Sequence, residues 1–148
     1  MKPNFEQLKQ ALKQRKIHLS IHRLKVLAYL SEVVGHPTVD EIYLALLKEL
    51  PSLSKTTVHN TLRLLKDAGL VRVVNIDENE ARYDLVTSVH GHFMCVHCQL
   101  IEDFPLPIGI LDFHLSSDHL VTEKKVYFKG ICKSCQASMN NTNKEDIE

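Results

Sequence analysis

Two Cys-x-x-Cys pairs constrain the fold of this chain more than any other feature of its sequence. The pairs are Cys95–Cys98 and Cys132–Cys135, and together they contain every cysteine of the 148 residues. Each pair can chelate one ion through a tight turn, and four thiolates complete the tetrahedral coordination of zinc. Such a zinc has no open position, so we expect a structural site that ties two distant segments together and on which folding depends. A pair of disulfides or a thioredoxin-like redox motif is the alternative.

The cellular compartment helps to decide between these alternatives. No apolar run approaches the roughly 20 residues of a membrane span, and the polar start MKPNFEQ lacks the apolar core of a signal peptide. We therefore expect a cytoplasmic protein with no membrane partner. Because cytoplasmic cysteines are rarely held in structural disulfides, this placement favours zinc. His97 lies inside the first pair but would be a fifth ligand, so we expect it to face solvent.

Residues 1–70 have the apolar periodicity of four helices. Ser20, Thr38 and Ser54 each precede an apolar-periodic run and are expected to be helix N-caps. Thr38 and Glu41 also have the spacing of a capping box. The side chains expected to line the inner faces are Phe5, Leu8 and Leu12 in the first helix, Leu24, Leu27, Leu30 and Val34 in the second, Ile42, Leu46 and Leu50 in the third, and Val58, Leu62 and Leu65 in the fourth.

The fourth predicted helix has a polar face that suits DNA. It is followed by LVRVVNIDENEARYDLV, two runs with strand propensity around a polar turn, which predicts a β-hairpin. Helix, turn, polar-faced helix and hairpin, in this order, are typical of a winged helix-turn-helix, whose recognition helix enters the major groove. A helical bundle whose polar stripe faces water is the alternative. The residues expected to contact phosphates or base edges are Arg23, Lys55, Thr56, Thr57, His59, Asn60 and Arg63.

Charge is divided unevenly between the two halves of the chain. Residues 1–76 contain twelve lysines and arginines against six aspartates and glutamates, and residues 77–148 contain six against twelve. A basic first half favours a polyanion partner such as double-stranded DNA. A solvated surface is the alternative explanation for so mild an excess.

Past about residue 87 the pattern changes to short strands. The runs 91–96, 99–104 and 124–131 have strand propensity, and the last two are separated by a segment that predicts a short helix or turns. The polar end of the chain is expected to be disordered. We therefore expect an α+β protein with a winged helix-turn-helix domain over residues 1–86, a small α/β domain over 87–136 and a disordered tail over 137–148.

A second group of candidate metal ligands surrounds the first cysteine pair. His90 and His92 lie two residues apart, so they share a face of an extended strand. Asp84 precedes them by an even offset, Asp103 follows in the next strand-like run, and His36 lies in the break before the third helix. Imidazole and carboxylate ligands suit Fe(II), Mn(II) or Zn(II). The residues therefore allow a second metal site that bridges two domains, and ordinary polar surface is the alternative.

Taken in order, these motifs resemble the ferric uptake regulator family. They are GHPTVDEIY, SKTTVHNTLRLLKDAGLV, ARYDLVTSVHGH, the first Cys-x-x-Cys pair with its following DF, and GICKSC. The resemblance covers nearly the whole chain, from about residue 5 to 136. It implies a homodimeric, metal-responsive transcription factor, whose winged helix binds palindromic operator DNA and whose α/β domain forms the dimer. It also implies structural zinc at the four cysteines and a regulatory site at His36, Asp84, His90, His92 and Asp103.

Two details resemble the peroxide-stress branch of this family. Asp84 and Asp103 stand where iron sensors tend to carry glutamate, and Glu123 with Lys124 replaces a histidine-bearing motif of iron and zinc sensors. The branch implies a repressor whose regulatory site holds Fe(II) or Mn(II). In the Fe(II) form, peroxide is expected to oxidise a ligand histidine, and the metal and the DNA are then released. The expected oxidation sites are His36 and His90.

The chain also departs from the family pattern. His59 replaces a tyrosine of the recognition helix, Lys129 replaces a tyrosine before the last cysteine pair, and the segment 105–120 is short. The alternative within the family is an iron- or zinc-sensing repressor without peroxide chemistry. Outside it, a non-haem iron or zinc enzyme and a zinc-ribbon interaction module without a DNA role are the rivals. We expect no enzyme, because two histidines and a carboxylate are accompanied by no separate general base or cofactor motif.

Overall fold

The computed structural model describes residues 3–86, 90–113, 115 and 118–145, with only the main chain described for 142–145. It divides the chain into two units, Met1–Thr87 and Ser88–Glu148. The predicted domain boundary after residue 86 falls beside the undescribed stretch 87–89. Residues 146–148 of the predicted tail also lie outside the described residues.

Unit 1 begins with four helices, each of which starts at a side chain that caps it. The side chains of Ser20, Thr38 and Ser54 accept hydrogen bonds from main-chain N–H groups three residues later, which confirms the three predicted N-caps. Thr38 and Glu41 form the predicted capping box. Such caps satisfy N–H groups that have no partner inside the helix. The helices are α1 (Phe5–Gln14), α2 (Ile21–Glu32), α3 (Val39–Leu47) and α4 (Lys55–Asp67).

Most of the predicted inner faces form one core. Leu12, Leu27, Ile42 and Leu65 are at most 2% exposed, and they belong to four different helices that share this cluster. The prediction that Val34 lies on an inner face is wrong, because this residue is 97% exposed. The helix α2 ends at Glu32 and the following residue is extended, so the helical spacing no longer applies at position 34. Phe5 is also exposed and Leu50 only partly buried.

The hairpin of unit 1 follows α4 directly, as predicted. Gly69 has a positive φ of 77°, a conformation that ends helices easily because glycine has no Cβ. The strands β1 (Val71–Val74) and β2 (Arg82–Leu85) then pair antiparallel. Helix, turn, helix and hairpin therefore occur in the order of a winged helix-turn-helix. We call the segment between the two strands, residues 75–81, the wing turn.

Unit 2 is a three-stranded sheet followed by a helix. The central strand is β3 (His90–Cys95), which pairs antiparallel with β4 (Ile101–Pro105) and parallel with β5 (Tyr127–Gly130). A turn-containing segment connects β4 to β5. The last helix, α5, spans Lys133–Glu145.

The prediction of a disordered tail over 137–148 is wrong for residues 137–145, which belong to the helix α5. The polar sequence QASMNNTNKE suggested disorder, but it contains no glycine or proline to stop a helix. Cys135 is buried in the first turn of α5, so tertiary packing anchors the start of this helix. Propensity alone underestimates such a segment, because most helical stability in proteins comes from tertiary contacts.

Candidate metal centres and nucleic-acid interface

The four cysteine sulfurs of unit 2 converge on one point. All four Sγ atoms lie within 4.8 Å of one another, and Cys98 Sγ is 3.7 Å from Cys132 Sγ. Zinc binds thiolate at about 2.3 Å, so the sulfurs of a tetrahedral site are about 3.8 Å apart. A disulfide needs about 2.05 Å, and all four cysteines are free. The cluster therefore fits one tetrahedral zinc, and the alternative of two disulfides is not supported.

Main-chain turns hold the first cysteine pair in place. Cys95 ends β3, and Gln99 reverses the chain with a positive φ of 65° while its N–H donates to the Cys95 carbonyl. The N–H groups of Cys98 and Cys132 approach Cys95 Sγ at 3.5 and 3.3 Å. These donors lower the pKa of the Cys95 thiol to about 6, the Cys98 N–H having the larger effect. Such N–H groups stabilise a thiolate and hence a metal-bound sulfur.

The second cysteine pair lies at the start of α5. The pKa of Cys135 is raised to about 12, first by its hydrogen bond with the Cys132 thiol and then by burial. The Leu100 main chain lowers the pKa of the Cys98 thiol, but the hydrogen bond with the Cys95 thiol and burial together outweigh this effect, so the pKa of Cys98 is also raised. The metal-free cluster therefore carries protons that zinc must displace. His97 is exposed, as predicted.

Three of the predicted regulatory ligands meet in unit 2. His92 and Asp103 are direct partners in the β3–β4 register, and His90 lies on the same face of β3. The Nε2 atoms of His90 and His92 are 3.1 Å apart. Asp103 Oδ2 lies 3.5 Å from His90 Nε2, and Oδ1 lies 3.3 Å from His92 Nε2. We call this group, with His92 buried and Asp103 half-exposed, the ligand trio.

The other two predicted regulatory ligands meet in unit 1. His36 Nε2 lies 3.8 Å from Asp84 Oδ2, and the His36 side chain is 5% exposed. His36 follows Gly35, which has a positive φ of 112°, so a sharp turn directs the chain from α2 towards β2. We call these two residues the ligand pair. The pair and the trio both offer imidazole and carboxylate donors, which suit Fe(II), Mn(II) or Zn(II) better than they suit softer metals.

The predicted DNA-binding residues of α4 lie on its outer face. Lys55, Thr56, His59, Asn60 and Arg63 are exposed, whereas Thr57 is partly buried and its hydroxyl lies 2.9 Å from Ser54 Oγ. The opposite face of α4 packs into the core. A helix with one apolar and one polar face, followed by a wing, can present the polar face to a DNA groove.

Two of the predicted phosphate contacts have partners inside unit 1. Lys55 Nζ lies 3.0 Å from Asp40 Oδ1, and both side chains are more than half exposed. The guanidinium of Arg23 donates to the His18 carbonyl at 2.7 Å. An exposed ion pair contributes little to stability, so Lys55 can exchange Asp40 for a phosphate at small cost.

Two histidines that were not among the predicted DNA contacts lie beside them. A cavity of about 450 Å³ opens between the start of α2 and the outer side of α4. His18 and His22 line it, together with the predicted contacts Arg23, Thr57 and Asn60. The signal in the sequence was the run HLSIHR, which places two histidines and an arginine beside a helix start. Only the packing of α2 against α4 brings this run to the recognition helix.

The fold and the two kinds of ligand cluster define a metal-binding winged-helix protein. The model of the ferric uptake regulator family matches residues 14–111. A relative in Staphylococcus aureus strain Mu50, the peroxide-responsive repressor PerR, is 37% identical over 130 residues, which cover 85% of this chain and 87% of the relative. The chain therefore belongs to the ferric uptake regulator family.

Solved structures of this family have the same fold. The ferric uptake regulator of Helicobacter pylori matches with a TM-score of 0.73 at 19% identity and covers 91% of this chain and 95% of its own. PerR of Streptococcus pyogenes, a structure concerned with peroxide sensing and gene regulation, matches with a TM-score of 0.52 at 29% identity, covering 89% and 92%. Membership of a family of regulators favours a regulatory over a catalytic role for the ligand clusters. Among the described residues, no helix has the length and apolar character to cross a membrane.

Proposed function

We propose that the chain is a cytoplasmic, metal-dependent transcriptional repressor that binds operator DNA as a homodimer and is released when peroxide oxidises its iron-loaded regulatory site. The observation that carries this proposal is the ligand trio, two imidazoles around one carboxylate in a member of a regulator family. A relative that is 37% identical is a peroxide-responsive repressor. No membrane partner is part of the proposal.

The regulatory site takes ligands from both units in this proposal. The ligand pair supplies His36 and Asp84, and the ligand trio supplies His90, His92 and Asp103. A metal that binds both groups more tightly in one arrangement of the units shifts the population towards that arrangement. The favoured arrangement spaces two recognition helices for a palindromic operator. The closed cysteine cluster of unit 2 holds structural zinc and takes no part in sensing.

The chemistry of the response follows from the donor set. Fe(II) held by these donors would promote the reaction of peroxide with a neighbouring imidazole, in which peroxide gives one oxygen atom to the ring and leaves as water, and Mn(II) would do so far less readily. His36 and His90 are the side chains that we expect to gain oxygen. An oxidised imidazole would be a poorer ligand, so the ligand pair and the ligand trio would hold a common metal less tightly and the DNA would be released.

The homodimer is supported by exposed apolar side chains in unit 2. Several lie between β4 and the end of β5, where a single copy leaves them in contact with water. Apolar surface of this kind is typical of an interaction face. These side chains are Ile108, Ile110, Phe113, Leu115, Leu120, Val121 and Phe128.

The peroxide proposal is tested with protein loaded with zinc at the cysteines and with either Fe(II) or Mn(II) at the regulatory site. A palindromic DNA fragment is first selected by its affinity for the Mn(II) form. Both forms are then exposed to peroxide, DNA binding is measured, and added oxygen is mapped by peptide mass spectrometry. We expect an added oxygen at His36 or His90 and at least about a tenfold loss of DNA affinity in the Fe(II) form, equivalent to about 1.4 kcal/mol.

The Mn(II) form is the control and should keep both its histidines and its DNA. Unmodified histidines and unchanged DNA binding in the Fe(II) form would contradict the peroxide proposal and favour an iron- or zinc-sensing repressor. DNA binding itself is tested with salt, because contacts to phosphates make affinity fall steeply as salt rises. A flat salt response, or variants at Arg63 and Lys55 without effect, would favour a zinc-ribbon interaction module.

A further inference from the structure

An ion pair inside unit 1 is attached to the main chain of a proposed metal ligand. Arg82 Nε and Nη2 both lie 3.4 Å from Asp77 Oδ2. The remaining nitrogen, Nη1, donates to the main-chain carbonyl of His36 at 3.1 Å. The Asp77 side chain is 8% exposed and that of Arg82 is 17% exposed. One guanidinium therefore joins a buried carboxylate to the chain segment that carries His36.

The same segment is also paired with β2. The N–H of Tyr83 donates to the carbonyl of Pro37 at 3.0 Å, and Thr38 forms an antiparallel bridge with Arg82. The segment from His36 to Thr38 thus runs along the outer edge of the hairpin. This pairing places the His36 imidazole 3.8 Å from Asp84, two residues beyond Arg82 on the same strand.

The carboxylate of Asp77 also organises the wing turn. Its second oxygen, Oδ1, accepts a hydrogen bond from the N–H of Asn79 at 3.0 Å. An aspartate side chain stabilises a short loop of this kind when its carboxylate accepts a hydrogen bond from the main-chain N–H two residues later. Asp77 therefore contacts the wing turn with one oxygen and Arg82 with the other, and Arg82 contacts His36. The three groups form one continuous polar connection within unit 1.

We propose that Asp77 and Arg82 are positioning residues that couple the metal ligand His36 to the wing turn. The inference rests on the proposed role of His36 and Asp84 as metal ligands. Groups that fix the orientation of a ligand raise metal affinity, because the ligand has less freedom to lose on binding. By linkage, a metal that restrains His36 also restrains the wing turn, and a partner that orders the wing turn raises metal affinity by the same factor.

The geometry argues against the simpler role of Arg82 as a phosphate contact. Arg82 is the only basic residue between Asp77 and Leu85, and arginine side chains are common contacts of DNA phosphates. Here its guanidinium is turned inward, and its described contacts are Asp77 and His36. Release of Arg82 to a phosphate would leave the Asp77 carboxylate buried without its partner charge, which is costly.

The first test measures Mn(II) affinity by competition with a metal chelator. We expect Arg82→Lys and Asp77→Asn to weaken Mn(II) binding by about 10- to 100-fold, the usual effect of removing a group that orients a ligand. Arg82→Lys keeps a positive charge beside Asp77, and Asp77→Asn removes the carboxylate. Arg82→Ala would instead leave the buried Asp77 carboxylate without a partner charge. Zinc content and the urea midpoint of unfolding verify that each variant is folded.

The matched control is Arg15→Ala. Arg15 also donates from its guanidinium to a distant carbonyl in unit 1, that of Ala68 at 2.9 Å, but it does not contact the ligand pair. We expect this variant to lose some stability and to keep the wild-type Mn(II) affinity. A general loss of stability in unit 1 would instead weaken metal binding in the control as well.

The second test measures hydrogen exchange at the Asn79 and Tyr83 amides with and without Mn(II). In the wild type, Mn(II) should slow exchange at both positions. In Arg82→Lys at saturating Mn(II), the slowing should disappear at Asn79, which a purely structural role of Arg82 does not require. Wild-type Mn(II) affinity together with wild-type protection at Asn79 in this variant would overturn the inference.

A further variant separates failure of this inference from failure of the proposed function. If His36→Ala binds Mn(II) as tightly as the wild type, the assignment of His36 as a ligand is wrong and the proposed regulatory site fails. If His36→Ala abolishes binding while Arg82→Lys and Asp77→Asn leave it unchanged, the regulatory site stands. The coupling through Asp77 and Arg82 is then overturned on its own.

Discussion

Gly91 separates His90 from His92, and its missing side chain makes room for an aromatic ring. A Cβ atom added at Gly91 would overlap the ring of Phe104, which is its direct partner in the β3–β4 register. The Phe104 ring in turn stacks on Phe128 at a centroid distance of 4.9 Å. The face of β3 opposite the two histidines is therefore filled by aromatic side chains. This packing holds the strand that carries the ligand trio.

Gly91→Ala should disturb the ligand trio although it substitutes none of the three ligands. The added methyl must displace Phe104, and overpacking of this kind typically costs about 1–3 kcal/mol. We expect a lower urea midpoint and a weaker affinity for Mn(II). The control is Gly130→Ala, whose Cβ would meet only one ring atom of Phe93 closely, at 3.3 Å. Equal losses in both variants would contradict this interpretation.

The helix α4 has one buried face and one exposed face, and the predicted DNA contacts lie on the exposed face. Val58 is fully buried in the core, and Asn60, two residues later, is exposed. Residues two apart point in very different directions around a helix of 3.6 residues per turn. The predicted base contacts and the core contacts therefore belong to the same element but can be altered independently.

A matched pair of variants tests this division of α4. Val58→Ala should lower the free energy of unfolding by about 1–3 kcal/mol, because it leaves a cavity in the core. Asn60→Ala should change stability by less than about 0.5 kcal/mol, as exposed substitutions usually do. In DNA-binding measurements the order should reverse, with Asn60→Ala the more damaging when both variants are fully folded. If Asn60→Ala binds DNA as the wild type does, the assignment of the outer face is wrong.

The two units of the molecule differ in how they are stabilised. The buried apolar cluster of unit 1 includes side chains from four helices and the hairpin. Among the described residues of unit 2, the buried apolar side chains are Met94, Cys95 and Cys135, and two of these belong to the cysteine cluster. A core of this size is too small to hold a fold without a metal or a partner chain. We infer that zinc replaces a hydrophobic core in unit 2.

Zinc removal should therefore unfold unit 2 and spare unit 1. We expect Cys98→Ser to lose bound zinc and the protection of the β3 amides from hydrogen exchange, while the amides of α2 and α4 remain protected. His97→Ala is the control, because His97 is exposed within the same turn and should keep the zinc. Loss of protection in both units together would show that the two units unfold as one.

Zinc affinity should also depend on pH. Zinc binds thiolates, and the pKa of Cys135 is raised to about 12, so this thiol must release a proton when zinc binds at neutral pH. The pKa of Cys95 is lowered to about 6, so its thiolate is already present at neutral pH and is lost as the pH falls through about 6. Both effects act in the same direction, and affinity should rise between about pH 6 and pH 8. Competition with a chelator at several pH values measures this, and a flat profile would contradict it.

Local patterns predicted much of the fold because their physical causes are local. Ser20, Thr38 and Ser54 cap helices through local contacts, since each side chain accepts a hydrogen bond from the N–H three residues later. The clearest errors arose where local pattern was not enough. Val34 continued an apolar spacing after α2 had ended, and the polar sequence of α5 concealed a helix whose first turn is anchored by Cys135.

The sequence by itself determined three helix starts, most of the inner faces of the helices, the hairpin and the two chelating cysteine pairs, because short-range hydrogen bonds, apolar periodicity and chelate spacing are properties of neighbouring residues. Only the tertiary structure decided that Arg82 contacts Asp77 and His36, that Phe104 occupies the space above Gly91, and that His18 and His22 line a cavity with Asn60. These contacts join residues that are distant along the chain or that could equally have faced solvent. Strand register and helix packing select them, and both depend on the whole of a unit folding together.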